Sequence, residues 1–212
     1  MFRVLTIARE YGSGGAVIGR SISEQLDWKL LDKVFIENIA RGANIDPQLA
    51  RGFDERTNTW LKRFVRQGSG FWREAFGGTI VAARPEFFDA EAMAALTQNL
   101  IEDAYHRGKC VIVGRGAECV LQGRGDVLRV FVYAPWEERI ARVRARVEEG
   151  RDVEELIRDI DRERAGYIRN YYGCEWKDPH LYHLMISSEI GIESAAAAIV
   201  NSVLQCGCPE SQ

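Results

Sequence analysis

The chain predicts a three-layer α/β fold, a largely parallel sheet with helices on both faces, and three observations carry that expectation. Strand and helix patterns alternate along the sequence, the strands are short apolar runs, and several runs are followed closely by glycine or Asp. In such sheets ligands gather beyond the carboxyl ends of the strands, so those turns are where function is expected.

Residues 2–8 form the first apolar run. Gly12-Ser13-Gly14-Gly15 makes a turn, and Val17, Ile18 and Ile22 resume at helical spacing. Residues 28–31 give a second, shorter strand ending in Asp32, which would cap a helix carried by Val34, Phe35, Ile36, Ile39 and Ala40. The stretch 42–85 leaves this rhythm. Trp60, Leu61, Phe64 and Val65 suit an amphipathic helix, then glycines and aromatics mix around Gly68, Gly70, Phe71, Trp72 and Phe76. It reads as an inserted helical subdomain, for acceptor binding or dimerisation, within one domain spanning 1–212.

Helical spacing returns over 89–106 through Met93, Leu96, Leu100 and Ile101, and 110–113 is a buried strand closed by Gly114-Arg115-Gly116. Another strand covers 127–133. Pro135 stands where a helix begins, with Trp136, Ile140, Val143 and Val147 on one face. A long helix over 152–172, a strand over 181–186 and a helix over 192–204 complete the pattern.

With 212 residues, 46% hydrophobic and 28% charged, the chain suits one substantial core with a small subdomain. A net charge of −3 argues against a dedicated nucleic-acid binder, while small phosphorylated ligands stay open. No stretch has the apolar length to span a bilayer, and Met1-Phe2-Arg3 enters the first strand without a cleavable signal pattern, so a cytoplasmic location is expected. The five cysteines lack C-x-x-C spacing, and His106, His180 and His183 lack metal-ligand spacing with carboxylates. Neither a disulfide framework nor a protein-built metal site is expected.

The glycine turn is the first site candidate. Gly12, Ser13, Gly14, Gly15, Ala16 and Val17 would offer backbone N–H groups and a helix amino end to a polyphosphate. A phosphate loop of the G-x-x-x-x-G-K-(S/T) kind also has a lysine and a hydroxyl, where this chain has Ala16 and Val17. Another cation would then serve the outer phosphate, with Arg9, Arg20 and Arg164 as candidates. A dinucleotide fingerprint fails, because Val17 stands in place of its third glycine.

Arg115 follows a buried strand between two glycines, which suits bidentate phosphate pairing. Asp32, also at a strand end, suits contact with a substrate. Arg164 falls within an apolar stripe of Val153, Leu156, Ile157, Ile160, Tyr167, Ile168 and Tyr171, so it needs an anion, either a protein carboxylate or a ligand phosphate. Arg158, Arg162 and Arg169 fall opposite, a solvated charged face with Glu155, Asp159 and Asp161.

These segments together resemble the cytidylate kinase-like family, a P-loop group. The matching pieces are Ala8-Arg9-Glu10-Tyr11-Gly12-Ser13-Gly14-Gly15, Leu30-Leu31-Asp32-Lys33, Val111-Ile112-Val113-Gly114-Arg115-Gly116-Ala117 and Val130-Phe131-Val132-Tyr133-Ala134-Pro135. Asp161, Arg164, Ala165, Tyr167, Tyr171, Trp176, Asp178 and Tyr182 make a fifth. The resemblance implies a P-loop NTPase-like, nucleoside monophosphate kinase fold with Mg2+ and ATP on the first loop, Asp32 and Arg115 near the acceptor nucleotide, and Arg164 on a lid spanning 151–180. The expected activity is phosphoryl transfer from ATP to a nucleoside monophosphate, cytidylate first, with Arg164 and Arg9 as catalytic cations. A kinase for another small acceptor and a nucleotide sensor without turnover are the alternatives. Nucleotides are the expected partners, with a second copy of the chain left open.

Overall fold

The computed structural model describes residues 1–32 and 90–205, with side chains of the helix opening at Ala90 described from Thr97 onward. Residues 1–32 and 98–212 make one unit and 33–97 a second. The expected 42–85 subdomain and the helix that Asp32 would cap lie outside the described residues.

Five strands form one sheet in the order β2-β3-β1-β4-β5, all neighbours parallel. They are β1 (Val4–Arg9), β2 (Lys29–Leu31), β3 (Cys110–Val113), β4 (Val127–Tyr133) and β5 (Leu184–Ser187). Helix α1 (Gly15–Leu26) follows β1 and α2 (Ala90–Arg107) precedes β3. Next come α3 (Ala117–Val120), α4 (Trp136–Arg144), α5 (Val153–Tyr172) and α6 (Ile192–Gln205). The β3 and β4 expectations match residue for residue. The last strand starts later than expected, because Pro179–Leu181 turns as a short 3-10 helix capped by Asp178. The four-residue helix α3 has too few residues for its apolar period to show in sequence.

Both sheet faces are covered, which is why the strands read as unbroken apolar runs. On one face Leu5, Ile7, Val111, Val113, Val130 and Val132 pack with Ile18 and Ile22 of α1 and Ala195, Ile199 and Val203 of α6. On the other, Ala8 and Phe131 pack with Ile168 of α5, Trp176 and Tyr182. Phe131 lies between Trp176 and Tyr182, ring centroids 5.5 and 5.1 Å away. Removal of an aromatic side chain from such a core costs roughly 3–5 kcal/mol. A third cluster, Val143, Val153 and Ile157, joins α4 to α5. Tyr171, expected in the apolar stripe of α5, is instead 38% exposed, with its ring against Tyr167 at 4.9 Å between centroids.

Because β1 is central, the turn after it stands between those after β3 and β4. No described helix is long and apolar enough to cross a membrane. Cys110, Cys119 and Cys174 are free thiols.

Candidate functional site

The site begins with the main chain after β1. Gly12 and Gly14 have φ of +83° and +81°, which turn the chain back so that α1 opens at Gly15 with Gly14 as its cap and no side chain capping it. Among the described residues, no protein group accepts from the amides of Gly12, Gly14, Gly15 or Ala16. Four such donors at and just before the positive end of a 12-residue helix suit an anion. Ser13 differs from its neighbours: its amide and hydroxyl both donate to the Glu10 carbonyl, at 3.3 and 2.9 Å, so it closes the turn. Val17 donates to Gly14 and keeps its side chain exposed.

Arg9, the last residue of β1, lies between the two glycine turns. Its side chain fills the space a Cβ would need at Gly15 and at Gly114. Among the described residues nothing accepts a hydrogen bond from its guanidinium, whereas its carbonyl accepts from Arg164 Nη1 at 2.8 Å. Burial, then the like charges of Arg164 and Arg115, press the Arg9 guanidinium down to about 9, opposed by Glu118 and Asp32. It is still charged at neutral pH. Arg9, Arg115, Arg164 and Asp32, four expected site residues, therefore share one electrostatic neighbourhood at the carboxyl edge of the sheet. Arg20 is exposed on α1 and is not among the charges acting on Arg9.

The turn after β3 holds three successive left-handed residues, Gly114, Arg115 and Gly116, with φ of +78°, +62° and +74°. For a non-glycine this costs about 1–2 kcal/mol. Tyr172, at the end of α5, donates its hydroxyl to the Arg115 carbonyl at 3.4 Å, and its ring fills the space a Cβ at Gly116 would need.

Helix α5 is set by Asp152, whose side chain accepts from the Glu155 amide. Two sequence expectations meet different outcomes here. Arg158 and Arg162 pair with Glu154 and Asp159, and Arg169 with Glu175, all exposed. Asp161, expected on that solvated face, points inward instead: it accepts from the Tyr11 amide at 2.8 Å and pairs with Arg139. Arg164 donates mainly to a neutral acceptor, the Arg9 carbonyl, and the carboxylate among its expected partners is Asp161 at 3.8 Å, with the Tyr11 ring at 5.6 Å. Burial lowers the pKa of Arg164, and Asp161 opposes that shift.

Sequence reasoning missed four residues. Arg139 of α4, 6% exposed at its side chain, pairs with Glu10 at 3.3 Å and Asp161 and donates from Nε to the Tyr11 carbonyl at 2.7 Å. Glu10 also pairs with Lys177. Glu118 of α3 is 1% exposed, with one carboxyl oxygen unpartnered, and burial raises its pKa. No spacing rule brings these together, although a glutamate two residues past a glycine turn at a strand end was a readable hint for Glu118.

A parallel sheet with a bare helix terminus after its central strand and arginines over the sheet edge defines a P-loop NTPase-like fold. Among solved structures, an uncharacterized protein from Eubacterium ventriosum aligns over 94% of this chain and 97% of its own, at 19% identity and TM-score 0.65. A shikimate kinase from Bacteroides thetaiotaomicron aligns over 95% and 98%, at 13% identity and TM-score 0.54. These likenesses concern the fold. The chain belongs to the cytidylate kinase-like family, whose model matches residues 4–190. A cytidylate kinase of Methanosarcina mazei is 33% identical over 87 residues, 40% of this chain and 48% of that protein. One from Methanosarcina barkeri is 29% identical over 97 residues, 45% and 54%. The aligned stretch thus spans about half the length of these curated relatives.

Proposed function

We propose that this protein transfers the terminal phosphoryl group of ATP to a nucleoside monophosphate, cytidylate first among the acceptors. The observation that carries the reading is the group of four unpaired amides at the start of α1, with Arg9, Arg115 and Arg164 close by. The amides of Gly12, Gly14, Gly15 and Ala16 bind the ATP phosphates, and Gly14 lets the turn close against α6, since Ile192 fills the space a Cβ would need there. Arg9 and Arg164 take the place of the loop lysine, stabilising charge on the transferring group. Such positioning and charge stabilisation is most of what phosphoryl transfer asks of a protein. Arg115 and Asp32 hold the acceptor.

No described group of three or more His, Cys, Asp or Glu could hold a metal ion. Magnesium suits this site as a companion of the nucleotide, neutralising charge on the phosphate oxygens when bound. A phosphate-terminated acceptor arrives ionised, so Asp32 positions it and abstracts no proton.

The deciding assay mixes protein, Mg-ATP and each nucleoside monophosphate in turn and scores ADP. Turnover with cytidylate above the others is expected. ATP binding without ADP across the panel would select the sensor reading, which Ala16 in place of a lysine favours, and turnover only with another small acceptor would correct the substrate. Arg115→Ala should mainly raise the acceptor KM and Arg164→Ala should mainly lower kcat, each loss worth about 1.5–3 kcal/mol.

A further inference from the structure

The main chain between β1 and the glycine turn is held from outside by side chains of α4 and α5. Arg139 Nε donates to the Tyr11 carbonyl at 2.7 Å, while its other nitrogens face Glu10 at 3.3 Å and Asp161. Asp161 accepts from the Tyr11 amide at 2.8 Å, so both polar backbone groups of Tyr11 are tied to one ion pair. The next residue is confined too: the Arg139 carbonyl lies 2.9 Å from where a Gly12 Cβ would stand. Glu10 completes the cluster, its carboxylate receiving Lys177 and, at 3.4 Å, the Ala134 amide.

A buried ion pair is weak evidence for stability, since desolvation offsets much of its attraction. What this one fixes is geometry. Holding the turn at its Tyr11 end narrows the arrangements open to the Gly12, Gly14, Gly15 and Ala16 amides before any ligand arrives, which lowers the ordering entropy lost on binding. A loop without a lysine depends on that arrangement more heavily, because its backbone must supply what a side chain does not.

We propose that Arg139 is a positioning residue for nucleotide binding, its fork of nitrogens joining the Tyr11 carbonyl to Asp161 and Glu10 and so presetting the phosphate loop. The proposal rests on the ATP-binding reading above. An ammonium cannot serve three oxygens in these directions, so lysine is no equivalent.

The test compares Arg139→Met, Arg139→Lys and the exposed control Arg162→Ala in the full chain. Thermal melts, ATP affinity by calorimetry, kinetics and amide hydrogen exchange at Tyr11 are measured. Arg139→Met should weaken ATP at least tenfold and speed Tyr11 exchange, leaving the acceptor KM within twofold. Arg139→Lys should keep the melting temperature nearer wild type, because the charge balance survives, yet leave ATP at least fivefold weaker. Arg162→Ala should change none of these. Should Arg139→Met not fold, Arg139→Lys decides alone. Wild-type ATP affinity and Tyr11 protection in Arg139→Lys, or in a folded Arg139→Met, would overturn the proposal. A wild-type protein that binds no ATP would instead sink the function reading, with Tyr11 exchange still judging whether Arg139 clamps the loop.

Discussion

The two glycine turns at the carboxyl edge of the sheet follow adjacent strands, β1 and β3, and do opposite things with the same freedom. After β1, positive φ at Gly12 and Gly14 leaves amides without acceptors. After β3, positive φ at three residues in a row aims a side chain, Arg115, at the cost of strain. Helix α5 touches both, through Arg164 on the Arg9 carbonyl and Tyr172 on the Arg115 carbonyl. A glycine cluster in sequence therefore marks a place where the chain must bend unusually, and what the bend presents depends on the residue between the glycines and on what packs behind it.

The largest effect expected separates the turns by what a methyl group would hit. At Gly12 it meets the Arg139 backbone at 2.9 Å, which cannot move alone, whereas at Gly114 it meets Arg9 Nη1 at 1.8 Å, the far end of a long side chain. Gly12→Ala should lower the melting temperature and abolish nucleotide binding together. Gly114→Ala should also carry the left-handed penalty of about 1–2 kcal/mol, but its added loss should be in ATP affinity, as Arg9 is displaced. Equal melting temperatures with equal affinity losses would erase the distinction.

A second, intermediate effect sits at Arg115. Arg115→Gly should remove strain and melt higher than Arg115→Ala by an amount equivalent to about 1 kcal/mol, while both weaken the acceptor alike. If the two variants melt together, the left-handed backbone is not the source of strain.

Two titrations sharpen the contrast. Burial and the like charges of Arg164 and Arg115 lower the Arg9 pKa, yet a guanidinium keeps its proton, so ATP affinity should hold between about pH 7 and 9 in the wild type, and a steep loss there would point to another group. Glu118 has its pKa raised by burial, so its contribution to stability is present below the ordinary carboxyl value and is lost as pH rises. Glu118→Gln should melt like wild type near pH 4 and above it near pH 7. The opposite order at pH 7 would mean that attraction to Arg9 outweighs burial. The smallest effect is expected on the outer face of α5, where Arg158→Ala should change stability by no more than about 0.5 kcal/mol.

Much of this was readable before the fold was known. Strands β3 and β4 and helices α2 and α4 follow from apolar periods and from Pro135, all short-range signals. The glycine turn, the bare helix start and the arginine between glycines are equally local. Asp161 shows where this reasoning stops: its charge groups it with the solvated face, yet it stands at the edge of the apolar stripe, and the Tyr11 amide, 150 residues away in sequence, draws it inward. The periodicity of α5 is set by its own residues, but what an edge position touches is set by its neighbour, here α4 and the turn after β1.

The amino-acid sequence alone determined the alternation of elements and the placing of a phosphate-type turn after the first strand, because hydrophobic period and glycine torsion are properties of a few adjacent residues. Tertiary structure decided which charges meet. Arg9, Arg115 and Arg164 share a field, and Arg139 reaches Tyr11, only because the order β2-β3-β1-β4-β5 sets the ends of β3 and β4 on either side of β1. Strand order arises from packing over the whole chain, and no local pattern encodes it.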